Sequence, residues 1–208
     1  HLLVEASGTL SDVCIMAIRG CLAINHQHPI YIAHHLPQPS GCGTAIKPQM
    51  TKRNDAMLEA GQKIEPFTLP TDTASFSLAG QSGDKTVIFF FPRADTSGCT
   101  KEAIAFSGLL DAFAAAGCAV IGISKDSAAK QTKFRAKHGL TCLLGADDTT
   151  DICERFGVWI EKSMYGKTYM GIQRATFILA NDGTCLAAWP KVKVAGHAEE
   201  VLDTLRSL

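Results

Sequence analysis

Cys99 lies in the stretch Phe91-Pro92-Arg93-Ala94-Asp95-Thr96-Ser97-Gly98-Cys99-Thr100-Lys101-Glu102, where an apolar run ends, a polar loop follows and a helical pattern begins. The first turn of a helix leaves N–H groups unpaired and carries a partial positive charge, and both favour a thiolate over a thiol. The Cys99 thiol is therefore expected to ionise below the free value of about 8.5. A thiolate is the nucleophilic form of cysteine, so the chemistry on offer is attack by sulfur on an electrophilic atom. Thr96 can bring its hydroxyl near the sulfur or near a substrate oxygen. Pro92 fixes the backbone and blocks solvent on one side.

The elements that must hold this loop are legible as changes of period. Residues 86–91 (TVIFFF) form a continuous apolar run, as in a strand covered on both faces. A helix is predicted over 100–116 and closed by Gly117, then a second buried strand over 118–123. Residues 127–138 read as a helix capped by Asp126 or Ser127 and closed by Gly139. A short strand over 141–144 and a short helix over 149–156 follow. Strands over 175–179 and 184–189 are joined by Asn181-Asp182-Gly183, a hairpin signal. An amphipathic helix over 197–207, with Val201, Leu202 and Leu205 on one face, ends the chain. Two short strands near 67–69 and 75–78 precede all of these. This order predicts an α/β, thioredoxin-like fold: a mixed central sheet, parallel through its β-α-β units and antiparallel through the hairpin, flanked by helices.

Bulk properties narrow the function. Lysine plus arginine and aspartate plus glutamate are balanced at 20 each, which leaves no basic field for nucleic acid. No apolar run reaches the length of a membrane span. The eight cysteines, at 14, 21, 42, 99, 118, 142, 153 and 185, include no C-x-x-C pair, which argues against a zinc knuckle or a dithiol reductase. They fit a reducing, cytoplasmic setting in which most are small buried hydrophobes. Residues 1–56 hold five of the seven histidines and show no sustained period, and are expected to be a disordered or non-native extension to a domain over 57–208. His26, His28, His34, His35 and Cys42 match no zinc pattern, and no metal or cofactor is expected.

Pro92-x-x-x-Thr96-x-x-Cys99 matches the P-x-x-x-[TS]-x-x-C signature of peroxiredoxins. The string Ala94-Asp95-Thr96-Ser97-Gly98-Cys99-Thr100-Lys101-Glu102-Ala103 resembles the peroxiredoxin Q group, also called bacterioferritin comigratory protein. Residues 164–177 (MYGKTYMGIQRATF) and 189–200 (WPKVKVAGHAEE) are similar to two further segments of that group, in the same order. The resemblance, from about Gly61 onward, implies a peroxiredoxin-type thioredoxin fold and a thiol peroxidase reducing hydrogen peroxide and organic hydroperoxides. Cys99 would be the peroxidatic nucleophile and pass through a sulfenic acid. Thr96 would hydrogen-bond the peroxide, Pro92 would shield the pocket, and Arg174 would stabilise the thiolate and the leaving oxygen. Arg174 also opens a strand expected to lie beside residues 86–91. Glu102 reads as first-turn support for the helix dipole, with an ordering role around the arginine as the alternative; Tyr165 and Trp189 read as packing residues, with lining of a substrate cleft as the alternative, and His197 as a cap or core-edge residue.

The chain departs from that group at the resolving step. Ile104 stands where one set of members carries a resolving cysteine, and Arg135 stands where another set does. Cys118, Cys142, Cys153 and Cys185 remain, the first and last expected in buried strands. The expectation is a one-cysteine cycle, recycled by thioredoxin or by glutathione with glutaredoxin, in a monomer or small homodimer. Two rival readings use the same fold: a redox sensor or relay, and a catalytically silent interaction module.

Overall fold

Both sides of the run at 86–91 are apolar because both faces of the strand are covered. The computed structural model describes residues 56–81, 83–164 and 166–208. The extension predicted over 1–56, with its histidines and Cys42, lies outside them apart from Ala56, as does Tyr165. β3 (Lys85–Phe90) sends Ile88 and Phe90 into one core and Val87 and Phe89 into the other, with Phe91 following into the second, as the two-residue period requires.

The elements run β1 (Thr68–Pro70), β2 (Ser75–Ser77), β3, α1 (Ser97–Gly108), α2 (Leu110–Ala115), β4 (Cys118–Ser124), α3 (Ala128–His138), β5 (Leu143–Ala146), α4 (Ile152–Arg155), β6 (Trp159–Met164), β7 (Lys167–Ile172), β8 (Ala175–Ala180), β9 (Cys185–Trp189) and α5 (His197–Ser207). The five-stranded sheet has the order β5-β4-β3-β8-β9. β3 pairs in parallel with β4, and β4 with β5, while β3–β8 and β8–β9 are antiparallel. The thioredoxin-like α/β expectation holds. The second core carries Phe106 of α1, Phe113 of α2, Phe134 of α3 and Val201 of α5. Phe106 stacks on Phe89 with ring centroids 4.5 Å apart, which seats α1 on the sheet. That stack needs Gly122 beneath it, since a Cβ there would come within 2.4 Å of the Phe89 ring.

Several boundaries differ from the sequence expectation. The helix expected over 100–116 begins at Ser97 and is broken at Leu109, directly after Gly108, a weak helix former. The strand expected over 141–144 runs over Leu143–Ala146. Thr141 and Cys142 instead donate their N–H groups to the Ser107 hydroxyl of α1. The helix expected over 149–156 shrinks to α4, because Asp147 caps it from upstream: its carboxylate accepts from Ile152 N at 2.9 Å and Cys153 N at 2.8 Å. Ser127 occupies the cap of α3 without a side-chain bond, while Asp126 binds Ala94 N at 2.6 Å. The β6–β7 hairpin was not expected at all. Its strands carry mixed, mostly exposed side chains with no alternation, so only backbone pairing reveals them.

Candidate active site

The loop after β3 is tied down before the helix begins. Phe91 N donates to Ile123 O at 3.1 Å, extending the pairing with β4. Asp95 adopts φ 63°, a left-handed conformation that aspartate tolerates better than most residues. Its carboxylate accepts from Lys137 Nζ at 2.6 Å and lies 2.7 Å from His138 Nε2, which pins the turn to the end of α3. His138 and then Lys137 hold Asp95 below the usual carboxylate value. Thr96 is the N-cap of α1; its carbonyl accepts from Thr100 N at 2.8 Å, and its hydroxyl donates to Arg93 O at 3.0 Å. Cys99 is the third helical residue, 1% exposed.

Arg174 reaches the same point from the other side of the sheet. Ala175, at the start of β8, lies opposite Phe90 at the end of β3, so antiparallel pairing delivers Arg174 to the edge where the loop emerges. Its Nη2 donates to Cys99 Sγ at 3.1 Å, and its Nη1 donates to Glu102 Oε2. Two cationic influences thus converge on the sulfur: the first turn of α1 and the guanidinium. Burial works against the Arg174 charge, but Glu102 and then Cys99 outweigh it and raise its pKa further.

Residues 60–187 match the model of the AhpC/TSA family. A Coxiella burnetii protein named putative peroxiredoxin bcp is 44% identical over 149 residues, spanning 71% of this chain and 99% of its own length. Peroxiredoxin Bcp of Bacillus subtilis is 40% identical over 152 residues, 73% of this chain and 97% of the relative. The chain belongs to the AhpC/TSA family, among its peroxiredoxins. A solved structure of the Xanthomonas campestris bacterioferritin comigratory protein, studied for its alkyl peroxide reduction activity, superposes with a TM-score of 0.64. It is 39% identical and covers 68% of this chain and 90% of that one.

Within this peroxiredoxin, Glu102 is the residue that sequence reasoning undervalued. It lies beyond the first turn of α1, is buried, and pairs with Arg174 instead of serving the helix dipole from the surface. Its three-residue spacing from Cys99 puts both on one face of the helix, the signal that could have found it. Burial pushes its carboxyl up to about 7, outweighing the pull of Arg174, and Oε1 has no hydrogen-bond partner among the described residues. Because the folded-state value exceeds the ordinary 4.5, the folded protein keeps a proton that the unfolded chain releases, so stability is lost as pH rises through this window. Glu102→Gln should remove that loss. In urea titrations from about pH 4.5 to about 8 it should gain on the wild type by about 3 kcal/mol, and parallel curves would contradict the assignment.

His197 is not at the core edge. It is buried in α5, with Nε2 2.8 Å from Thr176 Oγ1 and its ring between Trp189 and Phe106, while Gly196 takes the cap position. Burial holds it below the usual histidine value. Trp189 packs there too, donating to Glu200 Oε1 at 2.9 Å. Pro92 is exposed and borders a cleft beside the loop. Arg135 clamps the β1–β2 turn: it pairs with the buried Asp72 carboxylate and donates to Leu140 O at 2.8 Å and Cys142 O at 2.6 Å.

Proposed function

We propose that the chain reduces hydroperoxides through Cys99, and the Arg174 Nη2 contact on its sulfur carries this reading. The thiolate attacks one peroxide oxygen and the O–O bond breaks. The leaving oxygen takes a proton and departs as water or alcohol, and Cys99 is left as a sulfenic acid. Arg174 stabilises the sulfur before attack and the charge on the leaving oxygen during it. The Thr96 hydroxyl, now on the Arg93 carbonyl, turns to hydrogen-bond the peroxide, and Pro92 limits water at the mouth. Alkyl peroxide reduction by the X. campestris relative supports organic hydroperoxides as substrates beside hydrogen peroxide.

An external thiol, thioredoxin or glutathione with glutaredoxin, returns the sulfenic acid to thiol. Support comes from the other described cysteines, all buried. Burial pushes Cys118 and Cys185 up to about 11 and raises Cys142 and Cys153 as well, which makes each a poor nucleophile in the folded state. Free thiols throughout the described residues also suit a reducing compartment such as the cytoplasm.

One observation favours a second route. Cys142 Sγ lies 3.9 Å from Ala103 O, on the face of α1 that carries Cys99 one turn away, so unwinding of the first turn could bring the two sulfurs together. Intact mass after one equivalent of hydrogen peroxide separates the routes. A gain of one oxygen is the expected result. Loss of two hydrogens, with a Cys99–Cys142 peptide, would replace the external thiol by an internal disulfide. No faster reaction than an exposed thiol would overturn the peroxidase.

A further inference from the structure

The pairing of β3 with β4 continues past the ends of the strands. Phe91 N donates to Ile123 O at 3.1 Å, and further along both segments Ala94 N donates to Asp126 Oδ2 at 2.6 Å. Between these contacts Pro92 has no N–H to give, so the main-chain ladder ends there. Ala94 is buried, and a buried N–H needs a partner inside the protein. The Asp126 side chain supplies it where a strand carbonyl no longer can.

That carboxylate is itself held. Ser124 Oγ donates to Asp126 Oδ2 at 3.0 Å, and it accepts from Asp126 N at 3.2 Å and from Gln131 Nε2 at 2.9 Å. A hydroxyl has one proton and two lone pairs, so with both lone pairs taken its proton is directed at the carboxylate. Ser124 and Gln131 are fully buried, and Gln131 Nε2 also reaches Gly145 O at 3.1 Å, which anchors the chain of bonds on β5. Lys130 takes the other carboxylate oxygen, Oδ1. The loop has one more tie to α3, from Asp95 to Lys137 and His138, but the Asp95 side chain is 41% exposed against 11% for Asp126. Solvent screens the Asp95 contacts, while burial keeps the Asp126 contact strong.

We propose that Asp126 is a positioning residue for the peroxidase reaction. By fixing Ala94 it sets the turn through Asp95 and Thr96 that delivers Cys99 to Arg174, and Ser124 and Gln131 set Asp126 in turn. It acts through the loop backbone and not on the reacting atoms. The assignment rests on the peroxidase reading and adds opposite effects on the two halves of the cycle. A held loop speeds oxidation, because Cys99 stays against Arg174, and slows reduction, because the oxidised sulfur stays buried.

The test follows two single turnovers in the whole chain, well below its melting temperature. Hydrogen peroxide first oxidises Cys99 to the sulfenic acid. Dithiothreitol then reduces it: one thiol displaces the Cys99 hydroxyl as water, and the second thiol releases Cys99 as the reagent closes into its own disulfide. Asp126→Ala should slow oxidation by about 10 to 10²-fold, the scale of a misplaced reacting group, and speed reduction by about fivefold. Asp126→Asn keeps an oxygen for Ala94 N and should stay within about threefold of the wild type in both steps. Ser124→Ala loses the proton aimed at Asp126 and should fall between them in both steps, which keeps the test decisive where Asp126→Ala does not fold. A lowered melting temperature with both rates unchanged would overturn the positioning role, as would both steps slowing together. A wild type oxidised no faster than an exposed thiol would instead sink the peroxidase reading, and the positioning role with it.

Discussion

Cys99→Ser is expected to abolish rapid peroxide consumption, lowering its rate by about 10⁴-fold or more, the scale seen when a catalytic nucleophile is removed. A serine hydroxyl stays protonated where a thiolate would form, so the charged nucleophile is lost while size and shape are nearly kept. The packing around Cys99, which is 1% exposed, should survive, and Arg174 Nη2 would keep an oxygen to donate to in place of the sulfur. A normal thermal melt with no peroxide turnover is therefore the predicted outcome. Stopped-flow peroxide consumption checks the rate. Retention of the fast phase would move the reaction to another cysteine, for which the raised thiols of Cys118, Cys142, Cys153 and Cys185 offer no support.

Arg174→Gln should lower the rate of Cys99 oxidation by about 10² to 10³-fold, the usual effect of removing a donor aimed at developing charge. It should also destabilise the protein above pH 7, by about 1 kcal/mol at pH 8, because Glu102 would lose the cation that supports its ionised form, while at lower pH the carboxyl keeps its proton. The two effects separate in Arg174→Gln combined with Glu102→Gln. With both charges gone the stability loss should largely disappear, while the rate stays low. Denaturant melts and single-turnover oxidation of the two variants measure this. Recovery of rate together with stability would mean that Arg174 serves the fold alone.

Ile104 and Arg135 occupy the two positions at which the family resemblance implies a resolving cysteine, and the structure gives them different meanings. Ile104 is exposed on α1. Arg135 is a structural residue: its guanidinium joins α3 to Asp72 and to the carbonyls that lead into β5. A thiol at 135 would give up that clamp. The family resemblance covers the oxidation half of the cycle residue by residue, while the reduction half depends on what can reach Cys99.

The sequence by itself determined the central strands, the helix that follows the loop, and the candidate residues Pro92, Thr96 and Cys99, while Arg174 entered through the resemblance to peroxiredoxins. The first of these signals are local: a continuous apolar run marks a strand covered on both faces, and a cysteine just after a polar loop marks a helix start. Only the tertiary structure decided what meets what. Arg174 reaches Cys99 because β8 runs antiparallel to β3 and brings Ala175 beside Phe90, a register set by pairing between segments distant in sequence. Glu102 became an ion-pair partner by the same convergence, since nothing near it in sequence supplies the cation that accompanies its burial. The β6–β7 hairpin, and the cleft it forms with the loop, left no periodic trace, because its mostly exposed strands are defined by backbone pairing and not by a buried face.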